Sequence, residues 1–265
     1  KHDVLKKVLT QHNRECSSVL LTAVKFNNSF LVEKIFELIK NDPDLLKTIL
    51  TQQTRNGLTA LMLAARLGHL KILLTILHTL KEQPTLFLVE EVVTQQEQQG
   101  AHALIEATRS DSPRIVQALL ESIKDYPALL KKVMILQDKE LNNAFIGSSP
   151  EIMKIAIDAT HAHPEILKNI LTQQNNDGDT VLIKAARLGH TAVVEQLLNC
   201  VKQYPDILNY LLIQKEKYGR TALDEAISWQ RKAVIELLSK NYSNGQKDEE
   251  PSITEQLVRL SVNNS

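Results

Sequence analysis

An eleven-residue segment occurs twice in this chain almost unchanged, as Thr59-Ala-Leu-Met-Leu-Ala-Ala-Arg-Leu-Gly-His69 and Thr180-Val-Leu-Ile-Lys-Ala-Ala-Arg-Leu-Gly-His190. Weaker copies begin at Ser18, His102, Lys139 and Thr221, so six starts stand 41, 43, 37, 41 and 41 residues apart. A fixed period of this length leaves few folds open. Each unit is a single supersecondary element that buries its apolar face only by stacking on its neighbours. Proline keeps the same phase. Pro43, Pro84, Pro127, Pro164 and Pro205, five of the eight in the chain, each fall 25 residues after a start. Gly57, Gly100, Gly178 and Gly219 each stand two residues before one.

Within a repeat the pattern reads as helix, tight turn, helix, and one further block. The Thr or Ser at the start caps a short first helix by accepting a free backbone N–H. Leu61, Ala64 and Ala65 mark its buried side, and Gly68 or Gly189 ends it in a left-handed turn. The second helix carries apolar pairs one turn apart, Ile72/Leu73 with Ile76/Leu77 and Val193/Val194 with Leu197/Leu198. The in-phase proline then opens PDLLKTIL, PALLKKVMI, PEILKNIL or PDILNYLL, which predicts a third, short helix with proline in its first turn. Polar loops such as TQQTRNG and TQQNNDG lead to the next start. The fold class is therefore all-α, a helical solenoid of six repeats, each with an extra third helix.

The regularity breaks in three places. Only 12 residues separate Pro127 from the Lys139 start, against 16 or 18 elsewhere, which points to a shortened loop in the fourth repeat. A kink or weak interface is expected across 137–150, and with it unfolding transitions that differ between Trp229 fluorescence and circular dichroism. Residues 1–17 align with the end of a repeat and read as a partial N-terminal unit cut from a longer chain. Residues 18–240 hold the six repeats. Residues 241–265 read as a polar linker followed by a capping helix that starts at the Ser252-to-Glu255 box.

Composition and motifs exclude most chemistry. The 31 basic residues balance 31 acidic ones, so no overall charge draws the chain to nucleic acid or a membrane surface. No apolar run is long enough to insert in a bilayer. Phosphate-binding, H-E-x-x-H and C-x-x-C motifs are absent, and the two cysteines, Cys16 and Cys200, lie four repeats apart. Cys200 reads as packing and Cys16 as a loop thiol. His161 and His163 are only two ligands in a turn, and Asn175 to Asp179 lacks the bidentate acid of a calcium loop. No catalytic residue, metal or cofactor is expected.

The stretches Asn56 to His69 and Asp177 to His190 resemble the ankyrin repeat consensus, and the resemblance spans roughly residues 18 to 240. The consensus Pro and His of T-P-L-H are replaced, at Ala60 and Met62 for example. The period also exceeds the family's usual 33 by about one short helix. The resemblance implies a non-catalytic, monomeric scaffold that binds a protein partner on its concave face through the two residues before each Gly-His pair. Carried over, the partner-binding positions are Lys25, Phe26, Arg66, Leu67, Arg109, Arg187, Leu188 and Trp229, the last in a hairpin counted one residue short. Four of these positions are basic, which suggests an acidic, partly apolar partner. Reversing Arg66 and Arg109 to Glu is expected to weaken binding tenfold without unfolding the chain. The alternative is nucleic-acid or anionic-headgroup binding through the same basic row. Elongated repeats are similar to those of ankyrin proteins that intracellular bacteria deliver into host cells. That likeness implies a secreted bacterial effector acting on a host protein; otherwise the setting is cytosolic.

Overall fold

The computed structural model describes residues 2–13, 17–82 and 86–245, and within them every regular element is an α-helix. Cys16, Pro84 and the expected helix after Ser252 lie outside the described residues. Helix α1 (His2–Thr10) precedes the first repeat, α2 (Val19–Lys25), α3 (Ser29–Ile39) and α4 (Pro43–Leu50). The second repeat is α5 (Ala60–Arg66), α6 (Leu70–Lys81) and α7 (Leu86–Thr94), and the third is α8 (Ala103–Arg109), α9 (Pro113–Ile123) and α10 (Pro127–Ile135). The fourth supplies only α11 (Pro150–Ala159) and α12 (Pro164–Thr172). The fifth is α13 (Val181–Leu188), α14 (Thr191–Val201) and α15 (Pro205–Ile213), and the sixth is α16 (Ala222–Ser228) and α17 (Lys232–Gly245).

The caps explain why the first helices begin where they do. Side-chain oxygens of Ser18, Thr59, Thr180 and Thr221 accept the N–H groups of Leu21, Met62, Ile183 and Asp224. Each such cap is worth about 1 kcal/mol. In the third repeat the fully buried His102 takes this place, its Nδ1 accepting the Leu104 N–H at 3.4 Å. Pro43, Pro127, Pro164 and Pro205 are the first residues of α4, α10, α12 and α15, where a missing N–H leaves no bond unmade.

The chain divides between Ala144 and Phe145 into two compact units. In the first unit α5 packs between α2 and α8, α6 packs between α3 and α9, and α1 packs on α4 and α7 on α10. In the second unit α13 packs on α16, α14 between α11 and α17, and α12 on α15. Leu61, Met62, Ile72 and Leu73 in the first unit, and Ile183 and Val194 in the second, are wholly buried. Burying each side chain of this kind contributes about 1.5–3 kcal/mol.

The fourth repeat is shortened in its first helix, not in its loop. In the loops before the starts, one side-chain oxygen gathers two backbone N–H groups. Glu97 Oε1 takes those of Gln99 and Ala101 at 2.8 and 3.1 Å, and Glu216 Oε1 those of Tyr218 and Arg220 at 2.9 and 3.1 Å. Asp138 Oδ1 does the same for Glu140 and Asn142 at 2.8 and 2.9 Å, so the fourth loop is complete and its repeat starts at Asn143. From Thr59, His102 and Thr180 the second helix begins 11 residues on, but Pro150 is only 7 residues after Asn143. The four missing residues are about one helical turn, and only a turn over 144–147 remains. The division between the two units falls in this turn, inside the stretch 137–150.

The same comparison exposes a strained residue. Gly100 and Gly178 close their loops at φ 82° and 77°, where an added Cβ would come within 2.9 and 2.8 Å of the Lys139 and Lys217 backbone nitrogens. The fourth loop places Leu141 there instead, at φ 59°. Because Leu141 is 45% exposed, Leu141→Gly removes little packing and relieves the left-handed strain. A net stabilisation of about 0.5–1 kcal/mol is expected once glycine's entropy is subtracted. Urea unfolding would show it, and an unchanged or lower midpoint would remove strain as the explanation.

Candidate partner-binding row

Both row positions of each repeat sit where a first helix ends and the chain turns into the second. Lys25, Arg66, Arg109 and Arg187 lie in the last turns of α2, α5, α8 and α13, and Phe26, Leu67 and Trp229 follow as C-caps. Leu188 is the last residue of α13. The sixth hairpin is full length, contrary to the count made from sequence. Gln230 turns at φ 54° as Gly189 does at 77°, and Arg231 N–H donates to Ala226 O at 2.8 Å as His190 N–H does to Ala185 O at 3.0 Å. Trp229 therefore occupies the place of Leu188. In the first unit Phe26 is 71% and Leu67 43% exposed, and in the second Trp229 is 54% and Leu188 41% exposed.

The arginines are not free positive charges. Arg66 forms a bidentate pair with the buried Glu106 of the next repeat, through Nη2 to Oε1 at 2.8 Å and through Nε to Oε2. Arg109 Nη2 donates to the buried Asp138 Oδ2 at 2.6 Å and lies 3.6 Å from Glu106. Arg187 grips both oxygens of Asp179 at 2.7 Å and donates through Nε to Glu225 Oε2 at 2.8 Å. Asp179 and Glu225 are fully buried. Burial works against the Arg187 charge, but Glu225 and Asp179 outweigh it and hold the guanidinium above its ordinary value. Burial raises the Asp179 carboxyl, while Arg187 and Lys184 oppose the rise. Trp229 Nε1–H also donates to Glu225 Oε2, at 3.1 Å, which fixes the indole.

These repeats, their capped first helices and their Gly-His turns are what a family comparison tests. The family described as ankyrin repeats (3 copies) matches residues 20–128 and 152–248, most of the chain. The chain belongs to the ankyrin repeat family. Among solved structures, an ankyrin repeat protein described as EF0377 superposes with a TM-score of 0.61 at 16% identity, covering 87% of this chain and 99% of that one. A chain of the structure described as the Bd0816 predatory endopeptidase from Bdellovibrio bacteriovorus in complex with immunity protein Bd3460 superposes with a TM-score of 0.58 at 22% identity, with the same coverage. No curated protein sequence matches the chain significantly. Ankyrin repeats generally mediate protein–protein interaction and are generally non-catalytic scaffolds. No described helix is long and apolar enough to cross a membrane.

The remaining sequence candidates also have places in these ankyrin repeats. His69 Nδ1 lies 2.9 Å from the Val24 carbonyl, tying one repeat to the one before, and Arg231 Nε donates to the Arg187 carbonyl at 3.1 Å. Asp224 stands where the consensus has His and closes a capping box, accepting the Thr221 N–H at 2.9 Å and its hydroxyl at 2.8 Å. Asn175 organises its own loop, its Oδ1 taking the Asp177 and Asp179 N–H groups at 3.0 and 2.9 Å, while Asp179 belongs to Arg187. Burial pushes the Cys200 thiol up to about 11, leaving it protonated at neutral pH. Glu106, Asp138, Glu216 and Glu225 were not singled out from sequence. The signal for Glu106 and Glu225 was an acid inside the Ala- and Leu-rich first helix, as in HALIEATR and TALDEAIS, whereas Asp138 and Glu216 lie in the loops five residues before Asn143 and Thr221. Reversal of Arg66 or Arg109 to Glu would set a carboxylate beside the buried Glu106, or beside both Glu106 and Asp138, so a loss of stability is now expected from it where the sequence suggested none.

Proposed function

We propose that this ankyrin array is a non-catalytic interaction scaffold in which each unit offers its first-helix ends to a protein segment: Lys25, Phe26, Arg66, Leu67 and Arg109 in the first, Arg187, Leu188 and Trp229 in the second. The observation that carries this is the exposure of Phe26 and Trp229, two large aromatic side chains held at equivalent positions. Large apolar groups left in water at register positions mark interaction sites. Trp229 is held to Glu225, which Arg187 also grips, and the Lys25 ammonium lies 5.8 Å from the centre of the Phe26 ring. Internal pairing of Arg66, Arg109 and Arg187 weighs against the alternative of nucleic-acid or anionic-headgroup binding, which needs available cations. Only the repeat length of about 41 residues supports a host protein as the partner.

Affinity purification with the intact chain, repeated with Phe26→Ala and Trp229→Ala, tests the reading. A true partner should be retained by the parent chain and lose about 2 kcal/mol of affinity, about 30-fold, with the variant in the unit that it contacts. A partner bound equally by both variants would place the site elsewhere.

A further inference from the structure

We infer that the row recognises uncharged segments through large apolar anchors, with little contribution from charge. This rests on the scaffold reading above and adds the chemistry of the partner. In the first unit the cations Arg66 and Arg109 face Glu106 and Asp138. In the second, Arg187, Arg220 and Lys184 face Asp179, Glu225 and Glu216, with Arg220 Nη2 2.9 Å from Glu225 Oε1 and Lys184 3.6 Å from Asp179. An acidic partner meets guanidiniums whose charge is already matched by a buried carboxylate, so little further charge attraction is left for it. A basic partner meets carboxylates that are almost wholly buried.

Lys25, Arg66 and Arg109 keep solvent-exposed parts, and Arg66 and Arg109 are paired to buried acids; the other side chains that face solvent in this row are apolar. Phe26 and Leu67 stand on adjacent repeats of the first unit, and Leu188 and Trp229 on adjacent repeats of the second. The one polar atom of Trp229 is already committed to Glu225, so the indole offers only its ring faces, in a fixed orientation. A ring immobilised before binding loses little side-chain entropy when a partner covers it. The matching occupant is a peptide segment with Leu, Ile, Phe or Trp anchors set among neutral residues.

Phage-displayed random dodecapeptides panned on the full chain supply the probe, and selected peptides are then synthesised and titrated by calorimetry. The expected peptides have net charge near zero and apolar anchors, and their Kd changes less than about twofold between about 50 and 500 mM NaCl. Selection of strongly charged peptides whose Kd rises about tenfold over that range would overturn the inference. Failure to enrich any peptide would overturn it too. Phe26→Ser, Leu188→Ser and Trp229→Ala separate the two claims. Charged peptides that still depend on these residues would leave the scaffold reading standing and sink only the chemistry. Neutral peptides indifferent to all three, with circular dichroism unchanged, would sink the row itself.

Discussion

Arg187→Met should destabilise the second unit by about 3 kcal/mol, the low end of the cost of breaking a buried ion pair. Arg187 is only 19% exposed and serves two wholly buried carboxylates, Asp179 and Glu225, from two different repeats. A methionine keeps the packing of the stem but leaves Asp179 with Lys184 at 3.6 Å and Glu225 with Arg220 at 2.9 Å. These residual partners place the effect at the low end of the range. Trp229 bonds to the same Glu225, so its fluorescence in a urea titration reports the change directly. Adding Asp179→Asn and Glu225→Gln to Arg187→Met removes the stranded charges and should recover about half of the loss. A single substitution costing under about 1 kcal/mol would show that the pair behaves like an exposed one.

Lowering the pH from about 6.5 to about 4 should remove about 3 kcal/mol from the first unit through one imidazole, that of His102. Burial pushes His102 down to about 4 from its ordinary 6.5, against smaller opposing effects of the Leu136 backbone and the Asp138 charge. In the unfolded chain the ring takes up its proton as the pH falls through about 6.5; in the folded chain it stays neutral until about 4. The contribution is thus fully present above 6.5 and disappears across that window. Carboxylates begin to titrate near the lower end as well, so the comparison needed is with His102→Thr. Threonine makes the same cap at Thr59, Thr180 and Thr221. Urea midpoints by circular dichroism at pH about 7 and about 4.5 should fall further for the parent chain than for the variant. Parallel losses in the two would mean that His102 does not remain neutral in the fold.

Much of the architecture could be read from residues close together in the chain. The Thr caps, the prolines of α4, α10, α12 and α15, and the apolar pairs of α6 and α14 are local signals, and the helices begin where those signals stand. The fourth repeat resisted because a weak copy at Lys139 falls in phase with Pro164, 25 residues on, whereas the register is held by Asp138 gathering two N–H groups. Asp138 stands five residues before Asn143, as Glu97 does before His102 and Glu216 before Thr221, but nothing in the sequence marks these acids until their oxygens are seen to cap the loop. The positions of Phe26, Leu67, Leu188 and Trp229 were legible from the family resemblance because a first helix ends at the same place in the repeats that keep one. The state of the arginines beside them was not.

Outside the fourth repeat, the sequence by itself determined the period, the helix–turn–helix–helix unit and the residues at each register position, since these follow from propensity, capping and periodicity within about 41 residues. Only the tertiary structure decided what the charges do. Arg66 meets Glu106 40 residues on, and Arg187 meets Glu225 38 residues on, each in the following repeat. Such pairs depend on how one helix layer stacks on the next, a geometry in which a shift of a few ångströms separates a solvated cation from one clamped to a buried carboxylate. Three of the four cations that make the row read as basic in the chain are therefore matched by buried acids in the fold.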